Sequence, residues 1–426
     1  MVRKSNNKEY IRNLEKRVET LRILTEVSSI ISSTLDIREL MSLVMEKAKE
    51  ILSADACSIL IYNKNNNKLE FEVAICGEEE TSELLKKKIT LDMGQGIAGW
   101  VAQNQQIVVI KDVKKDKRFF HDVDKMTGFE TKSLIAAPLI GRRGLIGVAE
   151  IINPQKEDYD LEILSILTRH FATAIENALY HAETLEKERI KQELEIAATL
   201  QKSFLPEKPV FEKGRIRVSA INIPARHVGG DLYDFVEPDI NKAGIFIGDV
   251  SGKGVSAALY MAKIISDFRY ISRGINSPSD VMNKLNKVLS GAPRGMFLTA
   301  IYLIVDVEDG EAVISVAGHP PCIMIKKDEV YVLEMSSGPP LGIIETDFDE
   351  NRVILKNGDR LIMLTDGVFE AKNISGERIG FNTILEFIRE NRNIENLIER
   401  ITGLINEYSK NTEMADDITI MEVSCL

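Results

Sequence analysis

The chain has 426 residues, of which 44% are hydrophobic and 28% charged, with a formal net charge of −11. That length exceeds one ordinary core and calls for two or three folding units. The acidity argues against nucleic acid as the main partner, because backbone-phosphate binding needs a concentrated basic surface.

No apolar run approaches the roughly 20 residues of a membrane-spanning helix. The first thirty residues are charged and polar and do not read as a signal peptide. The cysteines Cys57, Cys76, Cys322 and Cys425 stand far apart with no Cys-x-x-Cys pair, so neither a disulfide framework nor a thiolate zinc site is indicated. A cytoplasmic protein without a membrane partner is expected.

Proline is absent before Pro138 and between Pro154 and Pro206, which permits long helices in both stretches. Ile11, Leu14, Val18 and Leu21 recur at alternating spacings of three and four, a short coiled coil or one amphipathic face. Segments 56–62, 69–75, 107–110, 134–140 and 145–152 read as strands from their apolar and β-branched content. A sheet flanked by helices is the economical first unit.

Leu164, Leu167, Phe171, Ala174, Ala178, His181 and Leu185 then follow a heptad spacing, after which the stripe restarts at Ile190, Leu194 and Ala197. Such a step rotates the apolar seam around a helix. Two readings stand: a helical signalling joint in a parallel dimer, or two ordinary helices joined near Glu188. Beyond Pro206 and Pro209, strands are expected at 215–223, 243–249, 298–306, 312–317, 322–326, 360–365 and 418–423. Helices are expected at 254–273, 278–290, 382–391 and 394–409. That order suits antiparallel sheets with helices packed outside, an α+β arrangement.

The informative residues of this half are aspartates at the ends of apolar strands: Asp231 in VGGDLYDF, Asp249 in IGDVSGKG, Asp366 in MLTDGVFEA and Asp416 in MADDITIMEV. A carboxylate following IFIG or LIMLT is odd as packing, since burying it unpartnered is costly. Several oxygen ligands without a histidine or cysteine cluster select Mg2+ or Mn2+ over zinc. Four uncompensated carboxylates would repel one another, and two dications would resolve this. A dinuclear site supplies an activated water and a Lewis acid for phosphoryl oxygens, so no protein nucleophile is required. Any one of these motifs alone is a common turn; the four in this order carry the reading.

Here the residues resemble a known family. AATLQKSFLP, VGGDLYDF, GDVSGKGVSAAL, FLTAIYLIVD, AGHPPCIM, GPPLGI, LTDGVFEA and ADDITIMEV, from about residue 190 to 426, look like the bacterial PPM (PP2C-like) phosphatases of the SpoIIE/RsbU type. The resemblance implies a phosphoserine/phosphothreonine protein phosphatase, often acting on anti-sigma-factor antagonists. It implies Asp249 as the ligand bridging two metals with the Val250 carbonyl alongside, Asp231 on the second metal, and Asp366 and Asp416 on the first. Asp417 and Asp234 would be supporting. The phosphate-orienting arginine of the eukaryotic relatives has no clear counterpart; Arg226 and Lys253 are the nearest basic candidates, and His319 a candidate proton donor.

Residues 22–180 resemble a GAF domain, through GQGIAGWVAQNQQIVVIKDVKKDKRFFHDVDKMTGFETKSLIAAPLI and then GLIGVAEIIN. GAF domains bind small molecules in a pocket over the sheet, and Trp100, Phe119, Phe120 and Thr131 fall in segments that often line it. Trp100 reads more readily as core packing. The Asn-Lys-x-Phe-Asp signature of cyclic-nucleotide binders is degraded to Asn153-Pro-Gln-Lys, with Asp160 further on, so the effector is an unidentified small molecule. Cys57 and Cys76 read as apolar packing.

The expected organisation is an N-terminal helix over 1–24, a GAF sensor over 25–180, a helical coiled-coil linker over 181–205, and a PPM-type β-sandwich flanked by helices over 206–426, assembled as a homodimer. Two alternatives compete: a non-catalytic dimeric scaffold, and a nucleotide cyclase suggested by the likeness of GGDLYDF to the GGDEF motif. Neither explains the downstream GDVSGKG, TDG and DDIT elements.

Overall fold

The computed structural model of the chain describes residues 36–75, 89–155, 161–291 and 295–426, with isolated positions before 36. Most of the expected helix over 1–24, Cys76 and Asp160 lie outside the described residues. Contacts divide the chain into two compact units, 1–188 and 189–426.

The first unit opens with α1 (Ile37–Leu52), whose N-cap Asp36 accepts hydrogen bonds from the backbone of Arg38 and Glu39, satisfying amides a helix start leaves orphaned. Six strands follow in the spatial order β3-β2-β1-β6-β5-β4. They are β1 (Ala56–Asn63), β2 (Lys68–Ile75), β3 (Thr90–Asp92), β4 (Val108–Ile110), β5 (Leu134–Gly141) and β6 (Gly144–Ile152). The two sheet faces bury different cores. Cys57 and Ile59 meet Leu40, Met41 and Met45 of α1 on one face, and Leu60 meets Ile97, Val101 and Val113 on the other. That second face carries α2 (Gly96–Asn104) and the short α3 (Asp122–Thr127).

Helix α4 runs unbroken from Leu161 to Phe204, 44 residues. This decides between one helix and two joined near Glu188. The span contains neither glycine nor proline, and i,i+4 pairs Lys187–Glu183, Arg189–Glu193 and Lys191–Glu195 bracket the point where the apolar register slips. No helix among the described residues is long and apolar enough to cross a membrane.

The second unit is a β-sandwich with helices outside. One sheet has the order β15-β12-β11-β10-β9 and the other β14-β13-β16-β17-β8-β7. The first contains β9 (Asp231–Asp239), β10 (Lys242–Val250), β11 (Leu298–Asp306), β12 (Glu311–Ala317) and β15 (Asn351–Ile354). The second contains β7 (Val210–Lys213), β8 (Ile216–Ile223), β13 (Ile323–Ile325), β14 (Val330–Val332), β16 (Arg360–Leu364) and β17 (Ile418–Cys425).

Ile245, Ile247, Ile301 and Leu303 of the first sheet face Val218, Met363, Met421 and Val423 of the second. Helices α5 (Val255–Ile271) and α6 (Pro278–Leu289) cover the outer face of the first sheet. A short α7 (Gly367–Glu370), α8 (Phe381–Glu390) and α9 (Leu397–Tyr408) cover the second. This is the α+β arrangement expected from the pattern, with the sandwich that the family resemblance implies.

Candidate metal centre

The β9–β10 hairpin sets Asp231, the first residue of β9, directly opposite Asp249 near the end of β10. On its other side Asp249 pairs with Thr299 of β11. In the facing sheet β16 ends at Leu364, immediately before Thr365 and Asp366, and β17 begins just after Asp416 and Asp417. Four strand ends therefore meet at one rim. The two sheets are tied there by hydroxyls: Thr365 Oγ1 and Thr419 Oγ1 each donate to Asp231 Oδ2 at 2.7 Å.

The electrostatics record how closely these groups converge. Asp231 is buried, 3% exposed, and burial, then the charge of Asp249, raises its pKa well above the usual carboxylate range. Asp249 is pushed up to about 7 by burial, then by Asp366 and Asp416. Asp366 is raised by burial, then by Asp416 and Glu370. Asp416 is paired with Lys253, whose Nζ lies 2.8 Å from its Oδ2.

Asp417 points elsewhere. Its Oδ1 accepts from the Ala225 amide at 2.7 Å and its Oδ2 from the Gly230 amide at 2.5 Å. The fit requires glycine next door, since a Cβ on Gly229 would fall 2.4 Å from Asp417 Oδ2. Gln201 of α4 holds the same turn, donating to the Gly229 carbonyl at 2.7 Å and accepting from its amide at 3.0 Å. Sequence reasoning missed Gln201, a polar residue on a polar helix.

Asp234 stands apart from the rim, 2% exposed, with Arg269 Nε of α5 2.6 Å from its Oδ2. The same guanidinium donates to the Phe204 carbonyl at the end of α4. Val250 is buried, and its carbonyl lies against Gly230, where an added Cβ would approach it to 2.8 Å. Arg226 is exposed on the loop preceding that turn. His319 is buried, with Nδ1 3.0 Å from Thr299 Oγ1. Burial pushes its pKa down to about 3, so the ring is neutral near neutral pH.

Among the described residues no three acidic, histidine or cysteine side chains close into a ready coordination shell. The donor chemistry nonetheless suits a hard dication: carboxylate oxygens and a backbone carbonyl, with burial and mutual repulsion opposing ionisation until positive charge arrives.

In the first unit a cavity lies against the sheet and is walled by Phe119, Phe120, Val123, Phe129 and Thr131. Glu150 lines it, accepting from Ser58 Oγ at 3.0 Å, and burial pushes its pKa up to about 7. Asp124 closes one side by accepting from Thr131 N at 2.9 Å and Thr131 Oγ1 at 2.7 Å.

Trp100 is not among the lining residues; Arg118 sits over its ring, 4.5 Å from the centroid. Asn153, left-handed at φ 51°, accepts from the amides of Lys132 and Ser133 and donates to the Glu130 carbonyl. It pins the Thr131 loop.

Two family models match the chain: the GAF domain over residues 36–175 and stage II sporulation protein E (SpoIIE) over residues 240–425. The phosphoserine phosphatase RsbU of Bacillus subtilis (strain 168) is 32% identical over 205 residues, 47% of this chain and 61% of that protein. The phosphoserine phosphatase RsbP of the same organism is 31% identical over 187 residues, 42% of this chain and 46% of that protein. Among solved structures, the SiaA-PP2C domain of Pseudomonas aeruginosa superimposes with a TM-score of 0.49 at 19% identity, covering 56% of this chain and 97% of that one. The chain spans about half the length of the curated relatives it matches. It carries an N-terminal GAF domain followed by a SpoIIE domain similar to that of RsbU.

Proposed function

We propose that the chain is a metal-dependent phosphoserine/phosphothreonine protein phosphatase governed by its GAF domain, with an anti-sigma-factor antagonist-like phosphoprotein as substrate. The observation that carries this is the convergence of Asp231, Asp249, Asp366 and Asp416 from four strand ends, with ionisation of the first three opposed. Likeness to two phosphoserine phosphatases supports the reaction class.

Asp249 with the Val250 carbonyl, Asp231, Asp366 and Asp416 would together hold two Mn2+ or Mg2+ ions. When bound, such ions supply an activated water and polarise phosphoryl oxygens. The protein's own share is orientation. The threonine hydroxyls fix Asp231, Asp417 and Gln201 fix the Gly229–Gly230 turn, and Lys253 stands beside Asp416 where a phosphoryl group would arrive.

A small-molecule effector in the cavity walled by Phe119 and Thr131 would act through α4. Leu179, Leu185, Ile190, Ile196 and Leu200, each 40% exposed or more, support pairing of that helix with a second copy. The free, buried Cys322 and Cys425 suit a cytoplasmic location.

Hydrolysis of p-nitrophenyl phosphate with Mn2+ and with EDTA tests the chemistry. Metal-dependent turnover in the parent, abolished in Asp249→Asn, is expected. An inert parent, or a variant equal to it, would favour the scaffold reading. A monomer in sedimentation at working concentration removes the dimer.

A further inference from the structure

The chain passes from the first sheet to the second between β12 and β13, and His319 stands at the start of that crossover, followed by Pro320 and Pro321. Gly318 bridges to Ala300 of β11. His319 Nδ1 meets the Thr299 hydroxyl at 3.0 Å, and Thr299 is the cross-strand partner of Asp249. Among the described residues the other ring nitrogen, Nε2, is buried and makes no hydrogen bond.

A buried ring nitrogen without a satisfied partner is a cost that an apolar side chain of similar size would avoid. The imidazole is 6% exposed, so it does not reach a substrate. What it does touch is the strand beside one proposed ligand.

We propose that His319 is a positioning residue of the metal centre: by holding the Thr299 hydroxyl it fixes the stretch of β11 that pairs with Asp249, and so the orientation of that carboxylate. The inference rests on the metal-centre reading above. Outer groups that orient ligands without touching the ion commonly govern affinity in this way.

The test is calorimetric titration of the full-length protein with Mn2+, accompanied by circular dichroism and by the Mn2+ dependence of p-nitrophenyl phosphate hydrolysis. His319→Leu, which fills the space without either nitrogen, is expected to weaken Mn2+ binding about tenfold with an unchanged dichroism spectrum. His319→Gln, whose amide can both accept and donate, should recover to within about threefold of the parent.

If His319→Leu folds and binds Mn2+ as the parent does, or if folded His319→Gln is as weak as the leucine variant, the proposal is overturned. Should the leucine variant not fold, Thr299→Val reads the same link from the other side. A loss of about three- to tenfold is expected there, and unchanged affinity is equally fatal. A parent that binds no Mn2+ would remove the metal-centre reading itself, whereas normal binding by parent and variants alike removes only the role of His319.

Discussion

Asp417→Asn separates what a carboxylate contributes beside the centre from what it would contribute as a ligand. The side chain keeps its size but loses its charge and one acceptor. The carboxylate accepts from Ala225 N at 2.7 Å and Gly230 N at 2.5 Å. An amide can serve only one of these and must turn its NH2 toward the other N–H. Hydrogen bonds to a charged acceptor are worth about 1.5–3 kcal/mol each, so losing one and opposing two donors costs about 2–4 kcal/mol.

A compensating effect has the opposite sign. Asp417 adds to the repulsion felt by Asp231 and Asp249, and the variant relieves it. That contribution ranks behind burial and the Asp249 charge at Asp231, and is the smallest of those acting on Asp249, so the hydrogen bonds win. With EDTA the net loss should be about 1–3 kcal/mol. Excess Mn2+ neutralises the repulsion in the parent as well, so the relief disappears and the gap widens. At about 2–4 °C per kcal/mol for a domain of this size, calorimetry of the full chain should show the second unit's transition falling by about 5 °C in EDTA and further in Mn2+. Equal melting of parent and variant in both conditions, or a gap that narrows with Mn2+, would refute the reasoning.

Arg269→Ala strands Asp234, 2% exposed, without its guanidinium, and should cost about 3–5 kcal/mol by urea denaturation. Adding Asp234→Asn should recover part of that, and a single variant within 1 kcal/mol of the parent contradicts the assignment. Gln201→Ala removes both bonds to Gly229 and should lower stability by about 1–3 kcal/mol, read as a shift in the denaturation midpoint at unchanged slope.

Glu150 has a folded pKa of about 7 against an ordinary 4.5, so the folded state holds its proton more tightly. The stability this contributes is complete below pH 4.5 and is lost as pH rises to about 7. Glu150→Gln should therefore be more stable than the parent above pH 7 by about 1–3 kcal/mol, water in the cavity trimming the full value, with the advantage shrinking toward pH 4.5. Parallel pH–stability curves for the two proteins would refute the burial of that carboxyl.

Much of the architecture was legible because central strands of a sandwich must be apolar over their whole length. AGIFIGD, LTAIYLIVD and RLIMLT all sit inside observed strands or run one residue past them. β9 was not read as a strand, because DLYDFVEPD alternates acids with apolar residues and carries Pro238. It lies at the edge of its sheet, where a missing amide donor costs nothing. The three- and four-residue strands β7, β14 and β15 are too short for any periodicity to register. The unbroken α4 was half legible: the lack of proline allowed it, but a shift in apolar register looks the same in one helix as in two.

The acidic rim could be read because a carboxylate at the end of an apolar strand contradicts packing. What holds the rim in place carries no such contradiction, with one exception. Thr365 and Thr419 interrupt apolar runs, and both are 0% exposed. A hydroxyl at such a position must find a partner inside the fold, and both find Asp231 Oδ2. Their joint claim on that one oxygen commits Oδ2 to joining the sheets. Asp231 thereby gains a fixed orientation before any cation arrives, so the energy of binding need not be spent on ordering it. Gln201, Arg269 and His319 gave no comparable signal, because a glutamine or arginine on a helix and a histidine beside prolines satisfy ordinary surface and turn roles until the fold brings Gly229, Asp234 and Thr299 beneath them.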